Sequence, residues 1–502
     1  MSRDYTLSVK DFGPIAEADV ELRPMTVFVG PSNTGKSYFA TLAYALHRCL
    51  GDQKKLWELA EPSAPGPNLS TSTRLDAWAR AVAKSKLGSA QPWLPALPRE
   101  VDDFVRSFLV VAPGVGRAVE EELERCFSVR RVQELIRSPQ ASGSRIKLEI
   151  PRAGKGGALE YLFRVHGESV WAGGDVTGEA SFEQDQIDTV YMRALHRLAV
   201  RHAETLPPLD GEDGSGAEVL AMLAEHLMRL VCKTVQSWLL HPVAGSMAYY
   251  LPSDRAGLAH TRDVVVSSLL RRASATAPER DALLSGVSGD FLDQLVRISA
   301  ELGDQDPAIL RLAHRLEEAV LAGDVRVERP EAGFAHLWYR PAGWDRDLPL
   351  MRASSMVVEL APMVLYLRHV VRPGDLLIID EPESHLHPGL QVEVIRGLAD
   401  IVHSGVRMII TTHSEWVLEE LSNLVLASQL PEDKRRELNG GAQPLSPEEV
   451  GVWLFKAGEA SQGSVVSEIR LEQSNLYSSS FDEVAANTYN DWANIADLLE
   501  GA

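Results

Sequence analysis

At 502 residues, 45% hydrophobic and 24% charged, the chain has an ordinary globular composition but is too long for one core, so two or three compact units are expected. No apolar run reaches the ~18 residues of a membrane span, no leader pattern opens the chain, and Cys49, Cys126 and Cys232 lack C-x-x-C spacing, which excludes a membrane partner and a zinc ribbon and fits a reducing, cytoplasmic setting. The formal charge of −20 opposes a DNA-coating surface, because duplex phosphates must be neutralised by Lys and Arg; DNA is not favoured, although screening within roughly 10 Å leaves room for a local basic groove.

Tyr5, Leu7 and Val9, then Ile15, Ala18, Val20 and Leu22, alternate around Gly13-Pro14 and predict a hairpin. A third strand, Thr26–Val29, runs into Gly30–Ser37, and Tyr38–Leu50, free of Pro and Gly, predicts a helix. From about 51 to 245, Pro- and Ser-rich stretches and an acidic loop (Leu209–Glu218) punctuate predicted helices at Glu100–Val111, Gly116–Arg137, Gln186–His202 and Ala217–Leu240. A hairpin of Arg145–Ile150 and Leu159–Val165 sits among them. Ala248–Leu251 reads as a short buried strand. A second helical block covers about 262–322, and Val325–Glu328 with Ala335–Tyr339 predicts another hairpin.

From about 350 the pattern alternates again: a helix at Val357–His369, a strand at Leu376–Ile379, a helix at Pro388–His403, a strand at Arg407–Thr411 and a helix from Ser414. A last strand, Val450–Phe455, precedes a helical tail. No repeat is present, and no a/d pattern lasts three heptads, so a long coiled coil is not expected. The organisation is therefore an α/β head built from residues 1–50, 246–258 and 346–502. It is interrupted by a mainly helical insertion with a hairpin (51–245) and by a second helical block with a hairpin (259–345).

Three motifs carry chemistry. Gly30-Pro31-Ser32-Asn33-Thr34-Gly35-Lys36-Ser37 is a G-x-x-x-x-G-K-[ST] loop in its required strand–loop–helix setting. Its glycines let backbone N–H groups curve around phosphates at the positive end of a helix, Lys36 reaches the β/γ oxygens, and the Ser37 hydroxyl ligates Mg²⁺. Asp380 ends an aliphatic strand and is the second Mg²⁺ ligand; Glu381 is the candidate base for an attacking water. Without the glycine loop, Asp380-Glu381-Pro382 reads equally well as a solvated turn. His413, in Thr411–Ser414, follows another apolar strand at the edge where α/β sites assemble and can hydrogen-bond a γ-phosphate; Ser414 caps the next helix. His385 and His387 stand at i, i+2 in a loop, a poor chelate spacing.

The run Asp380-Glu381-Pro382-Glu383-Ser384-His385-Leu386-His387-Pro388, with Thr411–Ser414 beyond it, resembles the ABC-type ATPases of the OLD nuclease, GajA and RecF group. The opening DFGPI turn, the run TVFVGPSNTGKS and Tyr250-Leu251-Pro252-Ser253-Asp254-Arg255 are similar to that group as well. The likeness covers about 1–50, 246–258 and 345–460. It implies an ABC-type P-loop ATPase head, α/β in class, with mostly helical insertions between the Walker A loop and the signature motif. It also implies ATP and Mg²⁺ as ligands, and a signature motif that contacts the γ-phosphate of the opposite protomer.

The matching stretch holds Ser354 and Ser355, with Met356 where the family has glycine; the two serines otherwise only cap a helix. Arg255 acts near the nucleotide or pairs with Asp254, and Phe12 packs near adenine or in the core. The glutamine loop is not identifiable. The nuclease domain of the OLD type finds no room after His413, so cleavage would belong to a separate chain. The expected function is an ATP hydrolase working as a head-to-tail homodimer or larger oligomer, gating a separate effector in a phage-defence or toxin system. The alternatives are a RecF/SMC-like DNA-repair clamp, for which Arg193, Arg197 and Arg201 form a basic stripe, and an ATP-glued scaffold with slow hydrolysis.

Overall fold

The computed structural model describes residues 4–51, 113–137, 143–151, 158–167, 169–176, 246–262, 265, 284–298, 306–328, 336–435, 443–458 and 463–469. The predicted helices Glu100–Val111, Gln186–His202 and Ala217–Leu240, the Arg193/Arg197/Arg201 stripe and the tail beyond 469 lie outside these residues.

The N-terminal hairpin is β1 (Tyr5–Phe12) and β2 (Ile15–Leu22), followed by β3 (Met25–Val29) and α1 (Lys36–Gly51). The hairpin turn needs Gly13: its φ is +51°, and a Cβ there would lie 2.2 Å from the ring of Tyr38 on α1. Tyr38 in turn packs on Phe12 (centroids 5.4 Å apart) and on Phe127 (4.4 Å). Phe12 is fully buried by these rings, so it belongs to the core.

Next come α2 (Pro113–Phe127), β4 (Ser144–Pro151), β5 (Ala158–His166), β6 (Ser169–Val176) and β7 (Ala248–Leu251). They are followed by α3 (Gly286–Ile298), α4 (Pro307–Leu321), β8 (Gly323–Glu328), β9 (His336–Pro341) and β10 (Leu348–Pro349). The C-terminal part holds α5 (Ser355–His369), β11 (Leu376–Asp380), α6 (Pro388–His403), β12 (Arg407–Thr412), α7 (Glu415–Ser428), α8 (Glu432–Arg435), β13 (Val450–Lys456) and β14 (Ser464–Ile469). Among the described residues, no helix is long and apolar enough to cross a membrane.

The fold is mixed α/β. Among the described residues, eleven strands form one sheet in the order β6-β5-β4-β1-β2-β14-β13-β3-β12-β11-β7, and β8–β10 form a second, three-stranded sheet. Strands β13, β3, β12, β11 and β7 run parallel, in register Met408–Met25 and Leu376–Arg407. Their residues are buried on both faces, as continuous apolar runs such as MTVFV and LLIID require.

Side chains alternate between two cores with the strand period of two. Phe28, Leu376, Ile378, Ile409 and Phe455 face the core shared with α1 and α2. Val27, Val29, Leu377, Ile379, Met408 and Ile410 face the core shared with α3–α7. On the first side Phe28, Phe39 and Phe455 meet with centroids 5.2–6.0 Å apart, which fixes α1 on the sheet directly behind the phosphate loop.

Three findings differ from the sequence reading. The helix expected at Gly116–Arg137 ends at Phe127, where Ser128 takes φ +53°; a 3₁₀ turn at Val132–Leu135 follows. The hairpin expected inside the 51–245 insertion is three-stranded, and its β4 pairs with β1 from Thr6–Glu149 to Lys10–Arg145. That segment is thus hydrogen-bonded into the same sheet as the phosphate loop. Strands β6 and β14 were not foreseen: β6 contains Gly173-Gly174, and β14 is a six-residue run with three polar positions.

Candidate functional site

Strand β3 ends at Val29, and the chain turns through Gly30–Gly35 before α1 begins at Lys36. Gly30 has φ +138°, and a Cβ on it would sit 2.3 Å from the Phe455 carbonyl oxygen; Gly35 has φ +96°. Only glycine tolerates such a backbone at that separation. Replacing Gly30 by alanine is expected to cost about 2–4 kcal/mol and to shift the urea midpoint; an unchanged midpoint would contradict this contact. Pro31, Ser32 and Asn33 form the exposed crest, Asn33 at φ +63°, and the buried Thr34 donates its hydroxyl to the Pro31 carbonyl at 2.8 Å.

Lys36 is 5% exposed, and its ammonium donates to the Gly30 and Pro31 carbonyls, both at 2.8 Å. Burial lowers its pKa to about 8, against the opposing pull of Glu381, Asp380 and Glu383. The ammonium is therefore held along the loop, next to three carboxylates.

The second half of the site arrives on β11 and β12. Ser37 Oγ donates to Asp380 Oδ1 at 2.9 Å, joining residues 343 positions apart, and the Thr411 hydroxyl donates to the same oxygen. Burial raises the Asp380 pKa, while the hydrogen bonds from Thr411 and Ser37 pull it back. One hydroxyl and one carboxylate at this spacing form a hard-oxygen pair. That fits Mg²⁺, which takes one or two protein oxygens and fills its octahedron with water and phosphate.

Glu381, the next residue, has φ +48°, and its N–H donates to the Thr411 carbonyl at 3.0 Å. Its Oε1 lies 3.6 Å from His413 Nε2, and its Oε2 accepts from Ser384 Oγ at 3.3 Å. Burial, and then the Lys36 charge, lower the His413 pKa, which favours a neutral imidazole. Glu381 and His413 are each about one third exposed, so both reach solvent at the rim.

Arg255 lies under this rim and is 1% exposed. It donates to the carbonyls of Asp380 (2.7 Å), Glu381 (3.2 Å), Pro252 (3.2 Å) and Glu359 (3.1 Å). Its ionic partner is the Glu359 carboxylate at 2.8 Å on α5, rather than the adjacent Asp254. The guanidinium thus braces the turn that carries the two acids.

The structure brings Gly30, Lys36, Ser37, Asp380, Glu381 and His413 into one cluster. Ser354 and Ser355 stand apart: both are exposed at the N-terminus of α5, where Ser354 Oγ accepts from Val357 N at 3.4 Å. Among the described residues neither is hydrogen-bonded to the cluster. Sequence reasoning missed Thr411, Arg255 in its bracing role, and Glu383. Glu383 carries the one available signal: a second acid in D-E-P-E, with no evident task.

A strand–loop–helix that presents backbone N–H groups and a buried ammonium, opposite a hydroxyl–carboxylate pair, is equipped to bind a triphosphate with its cation. Residues 243–419 match the AAA_21 family model, described as "AAA domain, putative AbiEii toxin, Type IV TA system". The AAA match takes in Arg255, Ser354, Ser355, Asp380, Glu381 and His413, and the phosphate loop at 30–37 lies outside it.

A 133-residue stretch is 29% identical to Protein ea59 of Escherichia phage lambda, covering 26% of this chain and 24% of ea59. The chain therefore spans about a quarter of the length of that curated relative. Among solved structures, it is similar to an SmcHead bound to the C-winged helix domain of ScpA, with TM-score 0.39, 11% identity, and 94% and 98% of the two chains covered. It is also similar to the SMC head domain from Thermotoga maritima, with TM-score 0.34, 12% identity and 93% and 99% covered.

Proposed function

We propose that this chain binds ATP with Mg²⁺ and hydrolyses it, and that it works as a head-to-tail homodimer or larger oligomer. The observation that carries this reading is the Ser37–Asp380 hydrogen bond at 2.9 Å, which unites two motifs from opposite ends of the chain at one point. The loop N–H groups of 30–37 and Lys36 hold the β- and γ-phosphates, and Ser37 and Asp380 would hold Mg²⁺. The bound cation would neutralise charge on the phosphate oxygens and orient them for in-line attack. Glu381 Oε1 accepts a hydrogen bond from the attacking water and takes its proton. Neutral His413, whose Nε2 lies 3.6 Å from Glu381 Oε1, donates its single ring N–H to the γ-phosphate.

The exposed Ser354 and Ser355, at the start of α5, offer hydroxyls and N–H groups to a phosphate held by another copy. The family description as a putative toxin of a type IV toxin–antitoxin system favours control of an effector over a housekeeping role. That part of the reading rests on resemblance, since one fold hosts many functions.

Binding is tested with Lys36→Ala. The Kd for Mg·ATP, measured by calorimetry, is expected to weaken roughly 10²-fold, because the ammonium that would meet the phosphate charge disappears. Equal affinity in the variant would remove the loop from the site.

A further inference from the structure

The turn after β11 and the loop after β12 are separate in sequence, yet the cluster needs Glu381 and His413 held to within a fraction of an ångström of each other. Glu383 ties them together at His413 itself. Glu383 Oε1 accepts two hydrogen bonds from consecutive residues at the end of β12, from Thr412 Oγ1 at 2.7 Å and from the His413 N–H at 2.8 Å. Among the described residues its other oxygen, Oε2, is buried without a side-chain or main-chain partner at hydrogen-bonding distance. Burial of this carboxyl raises its pKa, against the hydrogen bonds from His413, Thr412 and its own backbone N–H that favour the charged form. A carboxylate placed at such cost between two loops has a task that its own turn does not explain, because the turn is already closed by the Ser384 N–H to Glu381 carbonyl bond at 3.1 Å.

We propose that Glu383 is a positioning residue for ATP hydrolysis: its Oε1, shared by Thr412 and His413, sets the distance between the His413 ring and the Glu381 carboxylate. This rests on the hydrolytic reading given above. A second strut runs beside it. Ser414 Oγ donates to the Gln391 side-chain oxygen, and Gln391 Nε2 donates to the Leu386 carbonyl at 3.0 Å, so α6 ties the end of the same turn to the same loop. The Thr412 hydroxyl also accepts from the Ser414 N–H at 3.0 Å, which links the two struts. Glu383 is the strut that touches His413 itself. It contacts the backbone of His413 and not the imidazole, so it acts on where the ring sits, with nucleotide affinity left to Lys36 and the loop.

The test compares steady-state ATP turnover and Mg·ATP affinity for wild type, Glu383→Ala and Glu383→Gln. Alanine removes both hydrogen bonds and is expected to lower kcat roughly 10–100-fold, with KM and Kd changed less than about 3-fold. Glutamine keeps one oxygen in place for the same two donors and is expected to restore kcat to within about 5-fold of wild type. An alanine variant with wild-type kcat, or one whose loss falls in KM, overturns the proposal; so does a glutamine variant as slow as alanine. Should the alanine variant not fold, Thr412→Val replaces it by removing one of the two donors at nearly constant shape, and an unchanged kcat there overturns the proposal equally. A wild-type chain that binds Mg·ATP without turnover overturns the hydrolytic reading instead, a result distinguishable from all the others.

Discussion

Arg255→Ala is expected to lower folding stability by about 3–5 kcal/mol, the largest loss for any single polar side chain around the site. The guanidinium is 1% exposed and satisfies four carbonyl oxygens besides the Glu359 carboxylate, itself 1% exposed at the side chain. Burial pulls the Arg255 pKa down, and the Glu359 charge opposes that pull; burial likewise pushes the Glu359 pKa up. The pair was costly to bury, so its two members are worth little as an isolated attraction but a great deal as mutual compensation. Removing Arg255 strands a carboxylate among α5 side chains and takes the guanidinium donor from the Asp380 and Glu381 carbonyls.

Urea denaturation of the full chain measures the loss. A midpoint within error of wild type would show that the brace is dispensable. Arg255→Lys is expected to recover only part of the stability, since an ammonium cannot span Asp380, Glu381 and Glu359 with one planar fork.

Glu381→Gln is expected to reduce ATP turnover by about 10²–10⁴-fold while Mg·ATP still binds. The amide can accept the hydrogen bond from water but cannot take its proton. The backbone should be undisturbed: φ of +48° is held by the Thr411 carbonyl on one side and Arg255 on the other, and neither contact involves the side chain. Phosphate release gives the rate, and light scattering with ATP present gives the mass. In a head-to-tail assembly the slowed variant accumulates the ATP-bound oligomer. A mass unchanged by ATP would sink that arrangement while leaving the single-chain chemistry intact.

How far the sequence could be read depends on whether a property is local. The β3–loop–α1 unit and strands β11 and β12 were legible because a strand buried on both faces is an unbroken apolar run, and because G-x-x-x-x-G-K-S has a fixed local geometry. The cap at Ser414 was legible for the same reason, and its Oγ accepts from Val417 N at 3.4 Å. Strand β6 was not, since Gly173-Gly174 reads as a breaker unless a neighbouring strand supplies the pairing. Nor was the partner of Arg255: Asp254 is adjacent, but Glu359 lies 104 residues on, and only the packing of α5 under β7 decides between them. Glu383 was visible as a residue and invisible as a link, because its partners sit on another strand. What pattern cannot supply is which loops end side by side, and that comes from sheet order.

The pairing of β4 with β1 has a mechanical meaning. A domain attached by linkers can swing while its host stays still. Strands sharing a ladder cannot, because each backbone bond resists the sliding that a hinge would need. Force applied at β6 therefore travels across β5, β4, β1, β2, β14 and β13 to β3, the strand that ends at Gly30. The narrowest step on that route is β2 to β14, joined at Ile15–Ser464 and Glu17–Val465 across a register shift, so load placed on the far edge reaches the floor of the phosphate loop through those two pairs.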